Sequence, residues 1–153
     1  MKKAQFVYVT YIKTTPEKLW RALTEPEFTR QYWVGTWQES EWKPGTSWRL
    51  MIPDGRLGDS GEILEIDPPR KLVLSWRVEF KPELRAEGFS RLTFQLEEQG
   101  EMVKLTLLHE MDKPESKLIE EVSDGWPLIL ASLKSLLETG QPLDATRHWP
   151  EGV

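Results

Sequence analysis

Few side chains in this chain could do chemistry, and their spacing excludes more than it offers. The only histidines are His109, in Leu107-Leu108-His109-Glu110-Met111, and His148, in Thr146-Arg147-His148-Trp149-Pro150. Neither has a second ligand at metal-binding spacing, and His109 and Glu110, adjacent on a strand, point to opposite faces, so no metal is expected. The chain has no cysteine, which removes thiol nucleophiles, disulfides and thiolate ligands together. There is no Gly-x-Ser-x-Gly elbow and no dinucleotide fingerprint; the glycine-rich run Asp54 to Gly61 lacks the lysine and the following helix of a phosphate loop, and reads as a plain loop. No cofactor and no catalytic residue are expected. What remains is a set of eight tryptophans, Trp20, Trp33, Trp37, Trp42, Trp48, Trp76, Trp126 and Trp149, spread so that only folding could bring several together. A buried indole suits a core, and equally a ligand-lined wall.

The elements that must position these residues follow from periodicity. Residues 4–12, AQFVYVTYI, alternate and are rich in β-branched and aromatic types, which predicts a strand. Thr14 or Thr15 can cap a helix that starts at Pro16 and runs to about Leu23, with Glu17 completing a capping box from Thr14. Pro26 opens a second short helix to Tyr32. Six further strands are expected at 36–40, 47–53, 60–67, 71–80, 88–98 and 102–111, with turn residues between them. The period of two turns Leu72, Leu74, Trp76 and Val78 inward, with Leu92, Phe94 and Leu96, and with Val103, Leu105, Leu107, His109 and Met111. Trp48 shares a face with Leu50. Glu62 shares its phase with Leu64 and Ile66, which places it at a pocket mouth or a solvated edge if the strand alternates throughout.

Leu118, Val122, Trp126, Ile129, Leu130, Leu133, Leu136 and Leu137 recur at three and four, predicting a helix that covers the apolar sheet face and stops at Gly140. Pro127 cannot donate to the carbonyl of Ser123, so that helix is expected to kink or restart near Gly125. Residues 1–140 are expected to form one domain, since 153 residues with 39% hydrophobic content suit a single core. The remainder, 141–153, reads as a loosely held tail with Trp149 able to dock. A net charge of −5 with no basic stripe argues against nucleic acid. The first 20 positions lack a long apolar run, so neither a signal peptide nor a membrane span is expected, and a cytoplasmic location is the default.

The order of strand, two short helices, strand meander and long final helix resembles the START-like, birch-pollen-allergen-like helix-grip superfamily. Within it the chain is similar to the branch named for the activator of the heat-shock-chaperone ATPase. The match is carried by TTPEKLWRALTEPEFTRQYW (14–33), GEILEIDPPRKLVLSW (61–76), VKLTLLHE (103–110) and DGWPLILASLKSLL (124–137); Pro127 departs from the usual ending. The resemblance implies an α+β fold in which a curved antiparallel sheet grips the C-terminal helix over a pocket. In such a fold Trp33, Trp48, Trp76, Phe94, Trp126 and Leu130 border the pocket, with Glu62 and His109 as sparse polar points, which suits a hydrophobic or aromatic small molecule. Eight indoles filling a dry core is the rival account of the same residues. A satisfied core histidine is favoured over a general base at His109, for want of an inward partner. Three functions follow from the resemblance: a small-molecule sensor or carrier, a cyclase- or hydrolase-like enzyme if Glu62 and His109 approach each other, and a chaperone-associated module. A homodimer is also expected, although no self-complementary patch is visible in the residues.

Overall fold

The strands expected from the alternation all form in the computed structural model, which describes residues 3–153; Met1 and Lys2, the first two of the 1–140 domain, lie outside the described residues. β1 (Ala4–Ile12), β2 (Trp37–Ser40), β3 (Ser47–Met51), β4 (Leu57–Asp67), β5 (Lys71–Val78), β6 (Ser90–Gln99) and β7 (Met102–Met111) make one seven-stranded sheet in the order β1-β7-β6-β5-β4-β3-β2. Every neighbouring pair is antiparallel. The curved sheet and its long C-terminal helix form the expected α+β helix-grip architecture.

α1 (Pro16–Thr24) and α2 (Pro26–Tyr32) follow β1 and carry the chain to the opposite edge of the sheet. Thr15, in extended conformation, caps α1 by accepting from the backbone N–H of Lys18 at 3.2 Å. The Thr14–Glu17 capping box therefore does not form, and the Thr14 hydroxyl is buried without a partner among the described residues. Tyr32 holds the helix pair together: its buried hydroxyl donates to the carbonyl of Ala22 at 2.9 Å. A short helix that periodicity gave no sign of, α3 (Pro82–Arg85), follows β5.

α4 (Lys117–Thr139) is one uninterrupted helix through Pro127 rather than two segments meeting at Gly125. It is capped by Ser116, whose Oγ accepts from the N–H of Ile119, and it ends at Gly140 with φ of 85°, a left-handed conformation that glycine takes without steric cost. Its face bearing Trp126, Leu130, Leu133 and Leu136 is buried on the sheet, and each such side chain contributes about 1.5–3 kcal/mol by leaving water. That gain outweighs the one helical hydrogen bond that Pro127 forgoes. No helix among the described residues is long and apolar enough to cross a membrane.

β4 is the irregular strand, and its irregularity decides the site. The pairing slips twice, once opposite Leu50/Met51 and once between Ile63 and Glu65. In each case β4 carries an extra residue, Gly58 in the first and Leu64 in the second. Between the bulges the inward phase belongs to Asp59, Gly61 and Ile63; beyond them it passes to Ile66. Gly61 is required by space, since a Cβ there would lie 1.8 Å from the carbonyl oxygen of Ser75 on β5. Two expectations are corrected here. Residues 57–59, read as loop, belong to the strand expected from 60, and Glu62 is exposed on the outer face because the bulge at Leu64 reverses the alternation that placed it inward.

Candidate functional site

Trp76 is the centre of the site because the inward phase of β5 and the slipped phase of β4 bring it beside Asp59. Its indole N–H donates to Asp59 Oδ1 at 3.1 Å. Around it Trp33, from the end of α2, stacks at 6.1 Å between centroids, and Trp126 of α4 stands edge-on at 5.8 Å. Trp33 and Trp126 are themselves 5.3 Å apart. Offset and edge-on indole contacts of this kind add about 0.5–1.5 kcal/mol each beyond burial. Trp48 of β3 supports Trp76 from behind at 4.6 Å and donates to Gln38 Oε1 at 2.9 Å. Phe94 of β6 meets Trp126 at a right angle, 6.0 Å away.

A second set of bonds fixes the orientation of these rings. Trp126 donates from Nε1 to His109 Nδ1 at 3.1 Å, and an indole N–H can only donate, so Nδ1 is an acceptor. The imidazole proton is then on Nε2, which faces Ser90 Oγ at 2.7 Å, and the Ser90 proton goes to the carbonyl of Trp76 at 3.0 Å. One tautomer satisfies all four groups. Burial pushes the His109 pKa down to about 3, so the ring stays neutral. His109 is a fully buried girder between β7, β6 and α4, without free proton-transfer capacity.

Between sheet and helix these residues leave a pocket of about 190 Å³. Its walls include Trp33, Thr36, Trp76, Trp126 and Ile129, and its mouth lies among Phe80, Glu121 and Trp149. Thr36 spends its hydroxyl proton on the carbonyl of Trp33 at 2.7 Å. Trp149 reaches the mouth because the tail is tied down. The N–H of Leu143 donates to Ser132 Oγ, the N–H of Val34 donates to the carbonyl of Thr146, and Trp149 meets Phe80 edge-on at 5.2 Å. Gly125 also lines the pocket, and a Cβ on it would meet nothing within 4 Å. A larger, open depression of about 680 Å³ lies on the outer sheet face among Ser47, Arg49, Glu62, Ser75 and Phe89. It lies on the outer face away from the indole cluster and, among the described residues, has no buried titratable group, so the indole-lined pocket with Asp59 is the better candidate.

Asp59 is the one buried carboxyl in that pocket among the described residues, 6% exposed. Burial raises its pKa to about 8; the Trp76 hydrogen bond opposes this, and the negative charge of Glu79 adds to it. Glu79 keeps its own charge: burial works against it, yet hydrogen bonds from Arg77 at 2.6 Å and Ser60 at 2.7 Å, with Arg85 at 3.1 Å, hold it below the ordinary range. Among the described residues no such cation reaches Asp59, and no three His, Asp or Glu side chains converge as metal ligands.

Of the residues singled out from sequence, Trp33, Trp76 and Trp126 line the pocket. Trp48, Phe94, His109 and Leu130 are buried behind it, and Glu62 is on the far side of the sheet. Glu62 and His109 therefore cannot form the pair an enzyme reading required. Sequence reasoning missed Asp59, Thr36 and Gly125. The signal for Gly125 was present, as a glycine inside a helical pattern.

A family model described as Activator of Hsp90 ATPase homolog 1-like protein matches residues 13–138. No curated protein matches the chain. Among solved structures, CalU16 from Micromonospora echinospora is 24% identical, with 89% of this chain and 77% of that one covered at a TM-score of 0.69. The Aha1 dimer from Colwellia psychrerythraea is 18% identical, with 89% and 97% covered at 0.70. DynU16, a protein in the dynemicin biosynthetic locus, is 19% identical, with 91% of this chain and 49% of that one covered at 0.72.

Proposed function

This chain belongs to the family of Activator of Hsp90 ATPase homolog 1-like proteins, and from that premise we propose that it binds a hydrophobic or aromatic small molecule between its sheet and its C-terminal helix, as a sensor or carrier. The family name by itself assigns no activity, since function resides in the site and not in the fold. The observation that carries the reading is Asp59. Keeping this carboxyl neutral in the folded chain at pH 7, when it would ionise in water, costs about 4 kcal/mol. A serine or asparagine could accept the same indole hydrogen bond without that cost, so folding alone does not call for a carboxyl here, which supports a binding role. Gly125 supports the same conclusion: a mid-helix glycine costs about 1 kcal/mol relative to alanine, and here the missing methyl leaves room in the pocket.

Size limits the occupant. An engineered apolar cavity of about 150 Å³ takes benzene, so about 190 Å³ accommodates one aromatic ring or a small fused system. A longer molecule would leave past Trp149. Two similar structures come from proteins whose names begin Cal and Dyn, and DynU16 is described by its place in the dynemicin biosynthetic locus; a polycyclic natural product with one ring inserted fits these dimensions. We also propose self-association through the exposed Val7, Val9 and Tyr11 on edge strand β1, following the dimer of the Colwellia protein; sedimentation equilibrium showing monomer at all concentrations would remove it.

The test is to denature the purified protein, extract it with organic solvent and identify any stoichiometric compound by mass spectrometry, then return it to apo protein while following tryptophan emission. Saturable quenching that Trp76→Ala abolishes is the expected result. An empty extract together with unchanged emission across a broad aromatic panel would overturn the reading in favour of a filled core.

A further inference from the structure

Resting on the pocket reading above, the geometry points to a ligand of a particular charge: we infer that the pocket takes an arylalkyl amine, its ring among Trp33, Trp76 and Trp126 and its ammonium against the Asp59 carboxylate. Among the described residues the lining contains two acids, Asp59 and Glu121, and no lysine, arginine or histidine. Its hydrogen-bonding capacity is mostly acceptor. Trp76 donates to Asp59, Trp126 to His109, Trp149 to the carbonyl of Val153, and Thr36 to the carbonyl of Trp33; only the Trp33 indole N–H has no partner among the described residues. What the lining chiefly offers a ligand is the Asp59 carboxyl and indole surface. A cation satisfies both, because indole faces attract positive charge through their quadrupole and the carboxylate supplies the counter-ion.

Among the described residues an anionic ligand would find no cation in the pocket lining, since Lys81 at the mouth is paired with Glu121 at 3.4 Å and no cation reaches Asp59. A neutral ligand with a carbonyl could accept from a protonated Asp59, which makes it the competing case. The two differ in proton bookkeeping. Other titratable groups around Asp59 are Glu79, Arg77 and Arg85 on the β5–α3 side, Glu121 with Lys81 across the mouth, and His109 behind Trp76. Glu79 is already ionised and His109 already neutral near pH 7, so Asp59 is the group whose protonation changes. Binding an ammonium converts the Asp59 carboxylic acid to carboxylate and releases one proton to solvent. Binding a carbonyl compound retains that proton.

The experiment compares 2-phenylethylamine, 2-phenylethanol and phenylacetate, matched in shape and differing in charge, by calorimetry at several pH values. The amine is expected to bind at least tenfold more tightly than the alcohol at pH 8, and phenylacetate least. Because Asp59 titrates near 8 in the free protein, amine affinity is expected to rise by up to about tenfold per pH unit from 6.5 toward 8 and then to level off. Alcohol affinity stays flat or falls. Asp59→Asn, isosteric and uncharged, is expected to cost the amine about 10- to 100-fold while leaving the alcohol within about threefold; the pH profile of the unsubstituted protein decides the same question should that variant fold poorly. Alcohol or phenylacetate binding as tightly as the amine overturns the inference and leaves the pocket reading standing. Binding of none of the three overturns both.

Discussion

Replacing Asp59 by asparagine should make the fold more stable at alkaline pH, and the size of the effect follows from two buried groups. Asp59 has its pKa raised from 3.8 to about 8 on folding, so its contribution is fully present below pH 3.8 and is lost as pH rises toward 8, at about 1.4 kcal/mol per pH unit. His109 works in the opposite sense. Its pKa falls from 6.5 to about 3, so its contribution is present above pH 6.5 and is lost as pH falls toward 3. Between about pH 4 and 6.5 the two slopes oppose each other and stability is nearly flat. Above 6.5 only Asp59 titrates between the states, and stability should fall by about 1–2 kcal/mol by pH 8. Asp59→Asn keeps the oxygen that accepts from Trp76 and removes the ionisation. The variant should show no such fall, be about 4–5 kcal/mol more stable than the unsubstituted protein at pH 8, and approach it near pH 4. Urea titrations followed by tryptophan emission at half-unit pH intervals measure this directly. Parallel curves for the two proteins would refute the reasoning, because they would mean Asp59 is ionised in the folded chain at neutral pH.

Other substitutions test the remaining parts of the structure. Trp126→Phe removes the donor to His109 Nδ1 and leaves a buried acceptor unpaired, so urea titration should show a loss of about 1–3 kcal/mol. Imidazole ¹⁵N shifts should then cease to report a single tautomer. Gly125→Ala should raise helix stability by about 1 kcal/mol while weakening binding of any ring that fills the pocket, a trade read by thermal melting and calorimetry together. Gly61→Ala drives a methyl into the Ser75 carbonyl and should cost more than about 3 kcal/mol by forcing β4 from β5, seen as lost soluble yield or a low melting temperature.

The fold was legible because its signals are local. The alternation of β5 to β7, the prolines that open α1 and α2, and the three-and-four spacing of α4 each specify an element without reference to the rest. The indole cluster was legible for the same reason, since Trp76 and Trp126 sit in regular elements whose phase can be counted. β4 does not yield to counting. Gly58, Asp59 and Gly61 have turn chemistry, and they become strand only because β3 and β5 pair with this stretch on either side. A bulge at Leu64 carries no mark in the residues, so counting back from Ile66 put Glu62 inward and hid Asp59, which the same slip turns toward Trp76. Trp149 was beyond counting too: a segment without period docks by long-range contact with Phe80.

The most direct measurement follows the eight indole N–H resonances of ¹⁵N-labelled protein while 2-phenylethylamine or 2-phenylethanol is added. Their chain positions separate the pocket from the rest of the surface. Saturable shifts at Trp33, Trp76, Trp126 and Trp149, with Trp20, Trp37 and Trp42 unmoved, are the predicted result. Spectra that do not change at millimolar ligand, or that change at Trp20, Trp37 and Trp42 instead, would contradict a binding pocket beneath the C-terminal helix.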